Sequence, residues 1–341
     1  MTLTLDFGPN DIVNQIEKTG IKGRHLIFID DYSSTELENI FKTAEMLEPF
    51  WRNRIPLLEG KILCTQFFQP STRTRFSHET AMFRLGGNVI TESNPLVSSA
   101  AAKGESLYDS LRVTSQYADV IVLRHPDEGV IDTIEQLGSD ASPIISGGYG
   151  NVTHPTQGLL DMYTAYRALG GDFKEMTVMI ATPDLSRARS GQSFGLGLAR
   201  MGAKLIYSGT TGLGVPPVIR EKLKAMNANF TEVNDLTIGK HEEMLADEGV
   251  DLLYLPGCSV KKGDPGRDDF LKKMAEFYFT LEGLQEIKQK SGKTVGLMHS
   301  LPRNEGEFDF AIDASEHELY FKQIGFSVPL RMSLLANICG V

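Results

Sequence analysis

The sequence predicts an α/β fold built from two doubly wound parallel-sheet domains. Short apolar segments typical of buried strands alternate with segments whose apolar residues recur at helical spacing, a pattern that favours parallel sheets covered by helices. This series restarts near residue 177, after one long helix at 158–169. Polar clusters follow several predicted strands, and in such sheets ligands bind beyond the carboxyl ends of the strands. We therefore expect two domains joined by that helix, with an active site in the cleft between them.

The predicted elements of the first half are bounded by capping residues, glycines and apolar runs. A Ser or Thr within residues 33–35 caps a helix that ends near residue 47. The segment at 61–67 predicts a buried strand, and a helix at 77–85 ends before two glycines. Residues 94–103 are small and polar without an apolar period, which predicts a mobile loop. The other predicted elements of this half are a strand at 88–90, a helix at 106–117, strands at 120–123 and 143–146, and a turn at 147–151.

The second series of elements follows the long helix at 158–169. Its first strand lies at 177–181 and is followed by a helix at 190–201. No short repeat or low-complexity segment interrupts the series. The remaining predicted elements are a strand at 204–207, a helix at 217–226, and strands at 252–255 and 294–298.

Composition narrows the class of protein. The chain has 341 residues, of which 41% are hydrophobic and 23% charged, enough for two domains of ordinary size. No apolar run reaches the length of a membrane span and the first residues are no signal peptide, so we expect no membrane partner. The net charge of −10 argues against a nucleic-acid partner. Cys64, Cys258 and Cys339 are scattered without metal-binding spacing, which favours a reduced cytoplasm and no metal.

Hydroxyl and guanidinium side chains crowd the turn between the strand at 61–67 and the helix that follows it. Residues 67–75 read Phe-Phe-Gln-Pro-Ser-Thr-Arg-Thr-Arg. The first N–H groups of a helix are unpaired and its dipole is positive there, so such a turn binds anions. The alternative is a simple Ser or Thr cap with solvated arginines. Ser71, Thr72, Arg73, Thr74 and Arg75 together exceed what capping needs, so we expect a phosphate-binding loop.

This segment closely resembles the carbamoyl-phosphate loop of the aspartate and ornithine carbamoyltransferases. Further matches follow in the order of that family and extend the resemblance over about residues 25–341. They are Lys-Gly-Glu-Ser-Leu at 103–107, Arg-His-Pro at 124–126, His-Pro-Thr-Gln at 154–157, His-Ser-Leu-Pro-Arg at 299–303 and the last helix around 328–336.

The resemblance implies transfer of a carbamoyl group from carbamoyl phosphate to an amine, with no cofactor. Four residues would carry catalysis by polarising the carbonyl or holding the phosphate, namely Arg73, Thr74, Arg124 and His154. The leaving phosphate would take the proton of the amine. The residues implied to bind carbamoyl phosphate are Ser71, Thr72, Arg73, Thr74, Ser99, Lys103, Arg124, His154, Gln157, Ser300 and Leu301.

Taken singly, several of these residues have ordinary alternatives. Arg124 alone would read as a surface arginine, Lys103 as a solvated lysine and His154 as a structural histidine. Their functional roles therefore rest on the motifs in which they occur, and not on the single residues. We expect His78 and His125 to be structural.

The resemblance also implies how chains assemble and how the domains divide. In the family, the Ser and Lys of the loop matched by Ser99 and Lys103 enter the site of a neighbouring subunit. This implies a homotrimer with shared active sites, alone or as part of a higher assembly. The last helix returns to the first domain. The implied domains are therefore 1–153 plus 325–341, which binds carbamoyl phosphate, and 154–324, which binds the acceptor. The family also has a cis bond at the position of Leu301–Pro302.

The acceptor is the least determined part of the resemblance. Arg189 matches the arginine that holds the α-carboxylate of an amino acid, and Ser300 and Leu301 would contact its amine. The loop at 254–262 lacks the Arg and Gln of the aspartate branch and the Ser-Met-Gly of the ornithine branch. Lys261, Lys262 or Arg267 would have to replace the missing arginine.

The resemblance to the aspartate branch implies L-aspartate as the acceptor, giving N-carbamoyl-L-aspartate for pyrimidine biosynthesis. Two alternatives stay open: an ornithine-like, diamino or other amine, and a non-catalytic homologue that binds carbamoyl phosphate. The intact set at Arg73, Arg124, His154 and Gln157 argues against the second, since a binding protein has less use for groups that stabilise an oxyanion.

Overall fold

The chain folds into two compact units, each with one parallel sheet flanked by helices. The computed structural model describes residues 7–98, 100–257, 267–304 and 306–341. The first unit runs to Thr156 and resumes from Phe326 to Val341, and the second is Gln157–Gly325. The predicted α/β class with two parallel sheets is confirmed. The expected boundaries at 153/154 and 324/325, with a cleft between the domains, stay predictions.

The first unit holds a four-stranded parallel sheet in the order β2-β1-β3-β4. The strands are β1 (Ile62–Phe67), β2 (Asn88–Glu92), β3 (Val120–His125) and β4 (Ile144–Tyr149). β1 and β3 are almost wholly buried, as apolar segments in the centre of a parallel sheet require. The helices of this unit, numbered in chain order, are α1 (Pro9–Thr19), α2 (Ser34–Leu47), α3 (Thr72–Arg84), α4 (Pro95–Ser98), α5 (Leu107–Thr114), α6 (Val130–Leu137) and, from the end of the chain, α14 (Ser327–Cys339).

Helix α14 is the central helix of the first unit. Every residue from Pro329 to Cys339 is buried, and the helix packs against α2 and α3. Ser333 donates a hydrogen bond from its hydroxyl to the backbone oxygen of Ile40 at 2.7 Å, and Asn337 donates to the Ser333 backbone oxygen at 2.8 Å. The end of the chain therefore belongs to the first unit, as expected for the last helix.

The second unit holds a five-stranded parallel sheet in the order β7-β6-β5-β8-β9. Helix α7 (Pro155–Leu169) begins two residues before this unit. The strands are β5 (Thr177–Ala181), β6 (Lys204–Gly209), β7 (Phe230–Asn234), β8 (Leu252–Leu255) and β9 (Gly296–His299). The other helices are α8 (Arg189–Met201), α9 (Pro217–Ala225), α10 (Ile238–Asp247), α11 (Arg267–Met274), α12 (Leu281–Ser291) and α13 (Tyr320–Gly325).

Two local predictions in the first unit are wrong. The predicted mobile loop at 94–103 contains α4 and a 3₁₀ turn at Ala100–Lys103. Pro95 occupies the first turn of α4, where a missing N–H is tolerated, and alanine favours helical backbone. The predicted turn at 147–151 begins inside a strand, because Tyr149 pairs with His125 across an irregular register.

The elements that sequence reasoning missed are mostly amphipathic or half-exposed. β7 carries charged and polar residues at a sheet edge, so it shows no apolar run. α6, α10 and α12 present only a narrow buried stripe. No helix in the described part of the chain is long and apolar enough to cross a membrane.

Candidate active site

The carboxyl ends of β1 and β3 bring two predicted site segments together in the first unit. Because the strands pair in parallel, Phe67 lies opposite Arg124, and the N–H of Phe68 donates to the Arg124 backbone oxygen at 2.9 Å. The loop that begins at Phe68 therefore leaves the sheet directly beside Arg124.

The phosphate loop ends at the N-terminus of α3, where the side chain of the N-cap residue makes no capping hydrogen bond. Ser71 is the N-cap residue of α3, but its side chain accepts no hydrogen bond from the helix backbone. Its hydroxyl instead donates to the Thr74 hydroxyl at 3.1 Å. The simple capping role considered for this segment is thus not what Ser71 does. The first turn of α3 keeps the donors and the positive dipole that an anion requires.

Thr74, Arg124 and Gly147 converge behind this helix terminus. Thr74 and Arg124 are each only 8% exposed, and the Arg124 guanidinium donates to the Gly147 backbone oxygen at 2.6 Å. A Cβ atom added at Gly147 would lie 3.3 Å from Arg124 Cβ and 3.5 Å from Thr74 Cγ2. The missing side chain of Gly147 therefore leaves room for Arg124, with Thr74 at ordinary contact distance beside it. Sequence reasoning placed Gly147 in a turn and missed this contact; its only signal was the pair of glycines at a strand end.

Two of the three predicted phosphate-binding cations of the first unit, Arg73 and Lys103, are exposed, whereas the third, Arg124, is buried. Arg73 and Lys103 form no hydrogen bond or ion pair with any residue that the structure describes. Partial desolvation lowers the pKa of the Arg73 guanidinium, which stays a cation in water. Thr72 is exposed in the first turn of α3, and Ser99 lies outside the described residues.

The histidines of this unit differ in environment. His154 follows β4 and is buried, with Nδ1 at 3.4 Å from the Thr156 hydroxyl. His78 is fully buried, and its Nδ1–H donates to the Thr74 backbone oxygen at 2.7 Å. Burial lowers the pKa of His78 to about 3, so the ring is neutral and supports the first turn of α3. The structural role expected for His78 agrees with this geometry.

In the second unit, β5, β8 and β9 are neighbours and end at the same edge of the sheet. Arg189, after β5, opens α8, and burial lowers the pKa of its guanidinium. Ser300, after β9, accepts a hydrogen bond at its hydroxyl from the Gly257 N–H at 3.2 Å. This edge therefore gathers three of the predicted acceptor segments. Lys261 and Lys262 lie outside the described residues.

A buried histidine shapes the backbone at Leu301. The Leu301 N–H donates to His299 Nδ1 at 2.9 Å, so this nitrogen carries no proton. The proton is therefore on Nε2, which lies 3.4 Å from a Glu307 oxygen. Leu301 has a φ of 52°, a left-handed conformation that only such support sustains in a branched residue. The predicted cis bond between Leu301 and Pro302 is present. Glu307 carried no signal in the sequence.

A small pocket opens at this edge of the second sheet. Its described lining holds no lysine or arginine, and its ionisable side chains are those of His299 and Glu307. The lining residues are Ala181, Thr182, Pro183, Leu255, Pro256, Met274, Phe277, His299 and Glu307.

Gln157 opens the second unit on α7, where its side-chain nitrogen donates to an oxygen of Asp161 at 2.7 Å. Arg303 binds the Asp313 carboxylate with two nitrogens, one of them at 2.7 Å. Asp161 and Asp313 were missed by sequence reasoning. Only the four-residue spacing from Gln157 to Asp161 could have indicated a contact.

Within the described ranges, no group of three His, Cys, Asp or Glu side chains is arranged to hold a metal ion.

The chain is similar in sequence to a family model and to known proteins, and in structure to a solved protein. Residues 24–167 match the family model described as aspartate/ornithine carbamoyltransferase, carbamoyl-P binding domain. Ureidoglycine carbamoyltransferase of Rubrobacter xylanophilus is 44% identical, covering 95% of this chain and 94% of that protein. The aspartate carbamoyltransferase catalytic subunit of Methanothrix thermoacetophila is 37% identical, covering 93% and 99%. A crystal structure of the catalytic subunit of M. jannaschii aspartate transcarbamoylase is similar at a TM-score of 0.75 and 37% identity, covering 92% and 96%.

We predict that Gly147→Ala weakens the binding of inorganic phosphate about tenfold, or about 1.4 kcal/mol. The new methyl group would lie 3.3 Å from both Arg124 Cβ and the Leu123 backbone oxygen, so Arg124, which lies at the predicted anion site, must shift by a few tenths of an ångström. Titration calorimetry with phosphate measures the change. Gly239→Ala is the matched control, since nothing lies within 4 Å of its added Cβ. Unchanged phosphate affinity in a folded Gly147→Ala protein contradicts the role given to this contact.

Proposed function

The chain belongs to the aspartate/ornithine carbamoyltransferase family, and on this premise we propose that it transfers the carbamoyl group of carbamoyl phosphate to the α-amine of an amino acid carrying a neutral side group, with ureidoglycine as the substrate of choice. The activity of a carbamoyltransferase follows from the relatives. The residue roles, the acceptor and the assembly are the proposed part.

Carbamoyl phosphate binds through the residues of the phosphate loop and its neighbours. Ser71, Thr72 and Arg73 hold the phosphate together with N–H groups at the start of α3, which Ser71 leaves uncapped. Thr74, Arg124 and His154 polarise the carbonyl. The convergence of Thr74 and Arg124 on Gly147 supports these roles, because a rigid donor set costs little reorganisation during reaction.

The transfer requires one bond to form and one to break. The neutral amine attacks the carbonyl carbon, a C–N bond forms, and the C–O bond to phosphate breaks. The leaving phosphate takes the proton that the amine loses, so no separate base is required. Backbone oxygens at Ser300 and Leu301 orient the amine, and the left-handed Leu301 held by His299 supports this role. Arg189 binds the α-carboxylate of the acceptor.

The acceptor pocket carries the choice of ureidoglycine over aspartate. Both compounds present an α-amine and an α-carboxylate, but ureidoglycine has a neutral ureido group where aspartate has a second carboxylate. The described pocket lining has no lysine or arginine and one carboxylate, at Glu307. Such a lining disfavours a second anion and tolerates a group rich in N–H donors. The relative at 44% identity bears the name of the ureidoglycine enzyme.

L-aspartate is the second candidate, with pyrimidine biosynthesis as its setting. Relatives named aspartate carbamoyltransferase catalytic subunit cover nearly the whole chain at 35–39% identity. Lys261 and Lys262 would then supply the charge that the described lining lacks.

We further propose a homotrimer with shared active sites, in which Ser99 and Lys103 complete the site of a neighbouring chain. The exposure of Lys103, without a partner in the described part of its own chain, supports this arrangement.

We predict that Arg73→Ala lowers kcat/KM by a factor of 10² to 10⁴, a loss of roughly 3–5 kcal/mol of transition-state stabilisation. The variant removes a charge partner of the phosphate while leaving the fold intact, because Arg73 is exposed and bonds to no described residue. Phosphate release with carbamoyl phosphate measures the effect. Arg52→Ala, an exposed arginine of the same unit, is the control. Near-normal turnover by a folded Arg73→Ala protein would contradict the assignment of the phosphate loop.

We predict that mixing Lys103→Ala chains with Arg73→Ala chains restores part of the activity. Hybrid oligomers contain sites that take Arg73 from one chain and Lys103 from another. A mixture of Arg73→Ala with Arg124→Ala is the control, because both residues belong to the same set and no hybrid site is intact. If subunit exchange is demonstrated and the activity of the Lys103→Ala and Arg73→Ala mixture stays at background, the proposal of a shared site is wrong.

We predict saturable carbamoylation of ureidoglycine and at least 100-fold lower kcat/KM with aspartate or putrescine. The described lining has no lysine or arginine for the second carboxylate of aspartate, and putrescine lacks the α-carboxylate that Arg189 binds. Ureidoglycine hydrolyses readily because one carbon bears two nitrogens. The assay is therefore also run in reverse, from phosphate and diureidoacetate. Efficient turnover of aspartate with none of ureidoglycine selects the second candidate instead.

A further inference from the structure

The side-chain amide of Gln157 is held at one end by a buried carboxylate. Its nitrogen donates to an oxygen of Asp161 at 2.7 Å, one turn further along α7. Asp161 is 0% exposed, whereas Gln157 is only half-buried. One end of the amide therefore faces a carboxyl group in the protein interior.

Further donors hold Asp161 itself in place. The side-chain nitrogen of Gln323, a fully buried residue of α13, donates to the same Asp161 oxygen. The Tyr254 hydroxyl interacts with Asp161 as well: burial first, and then this carboxylate, raise the pKa of that hydroxyl well above its ordinary range. A buried carboxyl group needs such partners, and the two amide donors on one oxygen favour the arrangement in which Asp161 faces Gln157.

The chemistry of the two groups decides which end of the Gln157 amide is presented to a ligand. The same Asp161 oxygen accepts from the side-chain nitrogens of Gln157 and Gln323, so the NH₂ of Gln157 faces Asp161. The amide oxygen is then left as the end that contacts a ligand. The NH₂ of a carbamoyl group only donates, so it needs an acceptor of this kind.

We propose that Asp161 is a positioning residue that fixes the Gln157 amide with its oxygen toward the substrate, and that this orientation makes the site select carbamoyl phosphate over acetyl phosphate. The two compounds have the same shape, but acetyl phosphate has a methyl group where carbamoyl phosphate has NH₂. This inference rests on the proposed function, since it assigns Gln157 to the carbamoyl group.

A swap of the two side-chain types tests the orientation. In Gln157→Glu a second carboxylate faces Asp161, so we expect kcat/KM to fall at least 100-fold at neutral pH. In the double variant Gln157→Glu with Asp161→Asn, the amide introduced at position 161 donates to the carboxylate introduced at position 157. The other oxygen of that carboxylate still accepts from the substrate. We expect the double variant to recover at least tenfold over Gln157→Glu.

The pH profile separates this role from a merely structural one. In Gln157→Glu, a proton shared by the two carboxyl groups restores the hydrogen bond, so its activity relative to wild type rises as the pH falls. The double variant has a single carboxylate and loses this acid-dependent recovery. Gln289→Glu, which adds the same charge at an exposed position, leaves activity and its pH profile unchanged.

Inhibition constants complete the test. Inorganic phosphate lacks the carbamoyl group, so its inhibition constant stays within twofold of wild type in all variants. Wild type binds acetyl phosphate at least tenfold more weakly than carbamoyl phosphate, and Gln157→Ala, which removes the acceptor oxygen, narrows this ratio. The inference is overturned if wild type is active but the folded double variant has no higher kcat/KM than Gln157→Glu at any pH. A wild type without carbamoyl transfer overturns the proposed function instead.

Discussion

The parallel pairing of β1 with β3 is the constraint on which the first unit's candidate site depends. Parallel strands enter a sheet from the same side, so the loops that follow them leave at one edge. This pairing sets Phe67 beside Arg124, although the two are far apart in the chain, and the phosphate loop starts one residue later. In the second unit the neighbouring strands β5, β8 and β9 bring together Arg189, Gly257 and Ser300 by the same rule.

Buried polar groups determine the orientation of the more exposed ones. A buried donor or acceptor without a partner is costly, so each adopts the arrangement in which it is bonded. His299 faces Glu307 with one nitrogen and receives the Leu301 N–H at the other, and the left-handed backbone of Leu301 follows. Asp161 orients Gln157 in the same manner. Arg73 and Lys103 lack such support among the described residues, which suits groups whose partner is a ligand or another chain.

The acceptor pocket is where family resemblance and physical reasoning diverge. The resemblance favours aspartate, because the tail and the Arg-His-Pro segment match that branch. In our proposal the second-unit pocket, whose described lining has one carboxylate and no lysine or arginine, receives a neutral group rather than a second anion. The proposed acceptor specificity thus rests on this lining, whereas the proposed reaction rests on the phosphate and carbonyl contacts. Acceptor and reaction class are therefore separate questions in this chain.

The sequence by itself determined the α/β class, the strands at 177–181 and 252–255, the cis bond at Leu301 and the motifs that name the family, because apolar runs and short contiguous motifs are local signals. It misjudged 94–103, where helix propensity outweighed polar composition, and 147–149, where pairing with β3 extended a glycine-containing strand. Only the tertiary structure decided that Gly147 packs against Thr74 and Arg124, that Glu307 faces His299, and that Gln323 joins Gln157 on Asp161. These contacts join residues distant in sequence, and their geometry follows from sheet register and burial, which no local pattern encodes.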